Sequence, residues 1–144
     1  MKSKTFATWL AVVGGGLGLH RFYLHGARDL WGWLHPLPAV LGLYGIARMQ
    51  RYGLDDRLSW ALIPLLGASL AVGMLMAIIY GLTNDDKWNL RYNADSPASH
   101  SGWGAVLGVI VALMLGAWVL MATLAFSGQR YFELQVEQDR QSRQ

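Results

Sequence analysis

Histidines are the side chains of this sequence most able to do chemistry at neutral pH. Three of the four, His20, His25 and His35, lie close together in the chain, and imidazole is a common ligand of transition metals and haem. His20 and His25 are five residues apart, however, whereas two ligands align on one helical face when they are four apart. Cysteine is absent. We therefore expect these imidazoles to make interfacial hydrogen bonds, with no metal and no cofactor, and metal or haem binding is the alternative.

Enzymatic chemistry has little support in the other polar residues. The acidic pairs at 55–56 and 85–86 are typical of helix starts, because carboxylates are favoured at a helix N-terminus. The sequence contains neither a phosphate-binding glycine loop followed by lysine nor a nucleophile elbow, and it lacks the basic stripe of a nucleic-acid-binding protein. We expect neither an enzyme nor a nucleic-acid partner.

The distribution of charge predicts the architecture that holds these residues. The 144-residue chain is 53% hydrophobic and 15% charged. Four stretches contain no Asp, Glu, Lys or Arg: residues 5–19, 30–47, 58–82 and 103–126. A hydrocarbon core about 30 Å thick requires roughly 20 apolar helical residues. The pattern predicts an all-α integral membrane protein, a bundle of about four transmembrane helices, with the second kinked at Pro36 and Pro38. A buried helical hairpin in a soluble oligomer is the alternative.

Lysine and arginine positions predict the topology of such a bundle. Four spans bring both termini to one side, which then carries eight of these residues against four on the other. Because cytoplasmic loops are rich in Lys and Arg, we expect both termini in the cytoplasm of a bacterial-type inner membrane. The predicted organisation is a helical hairpin over 1–52, a second hairpin over 53–128 with a flexible external loop at 83–102, and a polar cytoplasmic tail over 129–144.

Small residues recur every four positions in the third and fourth stretches. Helices in lipid gain little from the hydrophobic effect when they associate, so close backbone packing must contribute. We predict that these two stripes face one another, although 17 glycines make chance stripes common. The stripes are Ser69, Gly73, Ala77 and Gly81 in the third stretch, and Gly104, Gly108, Ala112 and Gly116 in the fourth.

A glycine-rich helix end followed by a cationic and aromatic turn is the most distinctive motif. Its residues are Gly15, Gly18, His20, Arg21, Phe22, Tyr23 and Leu24. We expect the arginine to reach lipid phosphates and the two aromatic rings to anchor the membrane interface.

This motif resembles that of the TM-two domain family, a two-transmembrane-helix module whose bacterial members are often labelled NINE proteins. The family pattern is Gly-x-x-Gly-x-His-Arg-Phe-Tyr-Leu followed by Gly, and the resemblance covers about residues 5–50. Two departures are that the last glycine comes one place late, at Gly26, and that 45–49 lack the acidic residue that commonly closes the family's second helix. The resemblance implies a small membrane module of mostly unassigned role.

Together these features predict a structural or protein-interaction module in the membrane. Its expected partners are the lipid bilayer and either a second copy or another membrane protein. A small oligomeric transporter or channel component is the alternative, because broken helices mark many substrate sites. The third and fourth stretches, however, contain no ionisable residue that could coordinate an ion.

Overall fold

The computed structural model describes residues 1–143, which form helices and no strand. The predicted all-α class is therefore confirmed. The helices are α1 (Lys4–Gly14), α2 (Leu19–His25), α3 (Leu30–Leu34), α4 (Pro36–Tyr52), α5 (Arg57–Leu82), α6 (Asp85–Tyr92) and α7 (Trp103–Ser142), with a 3-10 turn at Gly15–Leu17 between α1 and α2.

Two helices in the described part of the chain, α5 and α7, are long and apolar enough to cross a membrane. Only 22% and 17% of their most apolar stretches are buried inside the protein. The core helix of a soluble protein would be mostly buried. Large apolar side chains such as Leu75, Trp118 and Met121 instead point outward, which favours membrane association.

The start of α5 is fixed by a capping carboxylate and an ion pair. Asp56 caps the helix by accepting a hydrogen bond from the Ser59 backbone N–H at 3.2 Å. The same carboxylate accepts two hydrogen bonds from the Arg48 guanidinium, at 2.8 and 2.9 Å. These charge-assisted bonds lower the pKa of Asp56 to about 2. The pair therefore joins the end of α4 to the start of α5.

Helix α1 packs beside α5 and α7 but reaches only halfway along the bundle. It begins at Lys4, whose ammonium contacts the Asp85 carboxylate just beyond the end of α5, and it is followed by Gly15, which touches Gly73 inside α5. Eleven residues of helix span about 16 Å, half the thickness of a hydrocarbon core. A run of glycines then ends the helix, and Gly18 turns the chain with a φ of +72°. The described fold therefore does not confirm a first crossing by residues 5–19.

Helix α2 returns to the end at which α1 began. The Tyr23 hydroxyl accepts a hydrogen bond from the Ser3 backbone N–H at 2.8 Å, and the Lys2 ammonium donates to the Leu24 carbonyl. The Phe6 and Tyr23 rings lie 4.9 Å apart. Residues 4–25 therefore form a hairpin that enters and leaves the bundle at one end, and we call them the N-terminal hairpin.

Helices α3 and α4 together run the length of the bundle. Gly32 of α3 packs on the Phe22 ring, whereas Gly42 of α4 packs on Leu66 of α5. The two helices are separated at His35, and Pro36 occupies the first turn of α4, where its missing N–H removes no helical hydrogen bond. The 23 residues of 30–52 span about 35 Å.

The two termini lie at opposite ends of the bundle. At the α6 end, the backbone N–H of Lys2 donates to the Asn93 side chain at 2.6 Å. At the other end, which we call the α4–α5 end, Glu137 near the chain terminus pairs with Arg57 at 2.9 Å. The predicted arrangement of both termini on one side depended on four crossings. Among residues 1–143, three segments run the full length and the N-terminal hairpin does not, so the described fold does not confirm that arrangement.

The segment 83–102 is ordered against the bundle and contains α6. Asn84 caps α6 by accepting from the Asp86 N–H at 2.9 Å. Asn89 and Ser99 exchange two hydrogen bonds, at 3.1 and 2.7 Å, and Asp85 accepts from Ser101. This segment differs from the flexible connector that its turn-rich composition predicted, because polar side chains tie the turns to α6.

Candidate functional site

The N-terminal hairpin, which contains the sequence motif, meets α5 by direct backbone contact. A Cβ atom added to Gly73 would lie 2.7 Å from the Gly15 Cα, and one added to Gly15 would lie 2.5 Å from the Gly73 Cα. One position further along, the Ser69 hydroxyl donates to the Gly16 carbonyl at 2.9 Å. Part of the small-residue stripe of α5 therefore faces this hairpin.

The stripe of α7 also meets α1. Added Cβ atoms at Gly104 and Gly108 would lie 3.1 and 2.8 Å from the methyl groups of Thr5 and Thr8. The indole N–H of Trp9 donates to the Gly104 carbonyl at 2.9 Å. Helix α1 thus fills the space between α5 and α7 at these positions, where we had predicted direct contact.

At other positions the stripe of each helix contacts the other helix directly. Gly81 of α5 faces the Ala105 carbonyl of α7, and Gly116 of α7 faces the Met74 side chain of α5. Ala77 and Ala112 are completely buried. The small residues therefore form one three-helix contact of α1, α5 and α7.

Two imidazoles lie inside the bundle beside the hairpin turn. His20 is 1% exposed, and its ring centroid lies 5.5 Å from that of His35 and 5.7 Å from that of Tyr80. Within the part of the chain that the structure describes, His20 Nδ1 and His35 Nε2 are buried without a hydrogen-bond partner. These two ring nitrogens therefore do not make the expected interfacial hydrogen bonds. His25, by contrast, is exposed next to Tyr92.

The described residues do not gather ligands around these imidazoles. Across 1–143, no group of three or more His, Cys, Asp or Glu side chains is close enough to hold a metal ion. Two buried nitrogens without hydrogen bonds cost stability, and the turn beside them is fixed by the close packing of Gly18 on His35.

Arg21 joins the N-terminal hairpin to α3. Its guanidinium donates to both carboxylate oxygens of Asp29, at 2.7 and 3.2 Å, a bidentate geometry that is strong and directional. These hydrogen bonds hold the pKa of Asp29 below its usual range. We expected this arginine to contact lipid phosphate, but here its charge is engaged within the protein.

The remaining motif side chains also make internal contacts. Phe22 packs edge-on to Trp33 with ring centroids 5.2 Å apart, and Leu24 lies in the hydrophobic core. Tyr23 makes the hydrogen bond to Ser3 described above. Every residue of the motif therefore helps to fold the hairpin or attach it to the bundle.

A polar network at the α6 end was not predicted from the sequence. The buried Lys4 ammonium pairs with Asp85 at 2.6 Å and donates to the Thr83 carbonyl at 2.7 Å, and this holds the pKa of Asp85 well below its usual range. The Trp88 indole N–H donates to the Lys2 carbonyl at 2.9 Å. These partners are far apart in the chain, so no local pattern could have identified them.

Comparison with known proteins found no family model, no curated protein and no solved structure that matches the chain. The resemblance to the TM-two family therefore rests on the motif residues alone.

Proposed function

We propose that the chain is a multi-pass inner-membrane protein that acts as a structural or protein-interaction module. The observation that carries this proposal is the outward-facing apolar surface of α4, α5 and α7, on which residues such as Val40, Leu75 and Trp118 are exposed. Exposure of an apolar surface of this extent to water would be unfavourable in free energy. Hydrocarbon would cover it at no such cost.

In this proposal the membrane is crossed three times, by α3 with α4, by α5 and by α7. The N-terminal hairpin enters to half depth and returns. Its unwound turn is compatible with that depth because protein surrounds it, and exposed backbone is tolerated in a membrane only under such cover. Exposed Trp31, Trp33 and Trp103 would lie at headgroup level near the α6 end.

The extension of α7 supports the interaction role. Beyond Phe126 the helix continues to Ser142. Its first turns there lie beside the start of α5, where Arg130 packs over the Trp60 ring and Glu137 pairs with Arg57, and the last turn continues past that contact. Phe132 and Val136 are exposed on this extension and line a cleft of about 710 Å³ together with Leu54. These apolar side chains lie beside the residues that join α4 to α5. Exposed apolar patches rimmed by charge are typical of protein contacts, so the proposed partner is another membrane protein or a second copy of this chain.

We also propose that the N-terminal region is similar to the TM-two module, as its seven motif residues suggest. In that family the module is a pair of spans, whereas here α1 and α2 turn back at half depth. Because of this difference, the proposed likeness is limited to the motif and to its position after an apolar helix. No activity follows from it.

The proposal can be tested by fractionation and pull-down. The chain should sediment with membranes and resist alkaline carbonate extraction. In mild detergent, Phe132→Asn should recover fewer partners than the wild type, while Gln138→Asn, an exposed polar position on the same extension, should recover the same set. Release by carbonate would contradict membrane insertion. Identical partner sets for all three proteins would contradict the role of the extension.

A small oligomeric transporter or channel component is the second candidate. The observation that favours it is the pair of buried, unpaired imidazole nitrogens of His20 and His35 inside the bundle, since polar groups inside a membrane often mark substrate sites. The test is solute flux into proteoliposomes. Flux above that of empty vesicles, and its loss in His20→Phe, would support a transporter over an interaction module.

A further inference from the structure

Lysines and arginines are divided equally between the two ends of the bundle. The α6 end carries six of the twelve and the α4–α5 end carries the other six. The first set is Lys2, Lys4, Arg21, Arg28, Lys87 and Arg91, and the second is Arg48, Arg51, Arg57, Arg130, Arg140 and Arg143.

Contacts across the fold assign the first set to the α6 end. Lys2 and Lys4 are bound to Asn93 and Asp85, which belong to α6 and the residue that follows it. Arg21 is paired with Asp29 in the loop between α2 and α3, the loop that contains Arg28, and Lys87 and Arg91 lie in α6 itself.

The second set is assigned in the same way to the α4–α5 end. Arg48 is paired with Asp56 at the start of α5, and Arg57 is paired with Glu137 on the α7 extension. Arg51 follows Arg48 in α4. The remaining three arginines follow Phe126, beyond the apolar part of α7.

The N-terminal hairpin is the cause of this balance. If residues 5–19 crossed the membrane, the same twelve residues would divide eight to four. Because α1 stops where Gly15 meets Gly73 and α2 returns, Lys2 and Lys4 lie on the same side as Arg21 and Arg28. The hairpin therefore cancels the charge difference that four crossings would have produced.

Orientation in the membrane follows the difference in Lys and Arg between the two sides, counted over short loops and near the span ends, whereas Asp and Glu contribute little. When the numbers of Lys and Arg at the two ends are equal, neither orientation is preferred. We propose that this chain inserts into the membrane in both orientations, in similar amounts, so that each copy has antiparallel copies of itself among its neighbours. This inference rests on the proposed function, since it requires that the chain crosses the membrane.

Single-cysteine labelling tests the inference, because the chain has no native cysteine. Ser96→Cys reports the α6 end and Gln138→Cys the α4–α5 end, and both positions are exposed. Intact cells are treated with a membrane-impermeant maleimide, and the labelled fraction is compared with that after permeabilisation. Each variant should be about half labelled in intact cells, as a zero charge difference implies. A cytoplasmic thiol protein serves as the leakage control.

Added charge provides the matched comparison. Ala98→Lys adds a cation to the α6 end and Gln135→Lys adds one to the α4–α5 end, again at exposed positions. The first should lower labelling at Ser96→Cys and the second should raise it, changing the ratio of orientations by about threefold or more in opposite directions.

The outcomes separate the two proposals. A carbonate-resistant membrane protein labelled at one end alone, whatever charge is added, overturns insertion in two orientations and leaves the proposed function standing. A chain absent from the membrane fraction overturns both.

Discussion

The contact between Gly73 and Gly15 gives the most direct test of the half-depth hairpin. Gly73→Ala places a Cβ 2.7 Å from the Gly15 Cα, whereas carbon atoms in contact prefer 3.5–4.0 Å. Both partners are backbone, so no side chain can rotate away and the helices must separate by about 1 Å. Overpacking of this kind costs up to about 3 kcal/mol, and the better helix propensity of alanine offsets about 1 kcal/mol of it. We expect a net loss of about 2 kcal/mol.

Gly128→Ala is the matched control, because Gly128 also lies within a helix but an added Cβ would meet nothing within 4 Å. It should stabilise the protein by up to about 1 kcal/mol. Thermal unfolding in detergent, followed by circular dichroism, measures both variants. A loss of about 2 kcal/mol corresponds to a fall in Tm of roughly 6–8 °C for a chain of this size. If Gly73→Ala melts at or above the temperature of Gly128→Ala, the proposed backbone contact is wrong.

Two further predictions concern the charges that anchor the bundle. Asp85→Asn leaves the buried Lys4 ammonium without its carboxylate and should lower stability by about 3 kcal/mol. Adding Lys4→Met should recover much of this loss, and no recovery in the detergent melting temperature would argue against the ion pair. The second prediction is acid destabilisation. The pKa of Asp56 is about 2 in the folded protein against an ordinary 3.8, and the pKa of Asp85 is also depressed. Because these two carboxylates have lower pKa values in the folded protein than in the unfolded chain, they stabilise the fold above about pH 4. This stabilisation is lost as the pH falls through their folded pKa values. Tm measured from pH 6 to pH 2 should therefore fall below pH 4, and Asp56→Asn should flatten this dependence; parallel curves for the two proteins would contradict the assignment.

The long apolar helices were predictable from the sequence alone. Residues 58–82 and 103–126 contain no charge, and they correspond to α5 and to the first part of α7. Uncharged runs of this length are typical of membrane helices, which pair their backbone groups within one segment. The all-α class follows from the same reasoning.

The residue types that form the hairpin were also visible in the sequence, but the contacts that these residues make were not. Gly15 and Gly18 indicated a helix end followed by a turn. His20 and Arg21 suggested interfacial contacts, whereas the structure buries the first and pairs the second with Asp29. A residue type shows what a side chain can do, but its partner is set by segments distant in the chain.

Depth within the bundle was decided only by the tertiary structure. The apolar composition of 5–19 shows that the segment avoids water, yet lipid and protein can both satisfy that preference. Helix α1 ends at half depth because Gly15 meets Gly73 while Lys4 is held by Asp85. One backbone contact and one ion pair thereby set how far α1 runs along the bundle, the end at which the first residues lie and the balance of charge between the two ends. Hydropathy indicates whether a segment prefers apolar surroundings, whereas the length over which it runs along the bundle is set by its tertiary contacts.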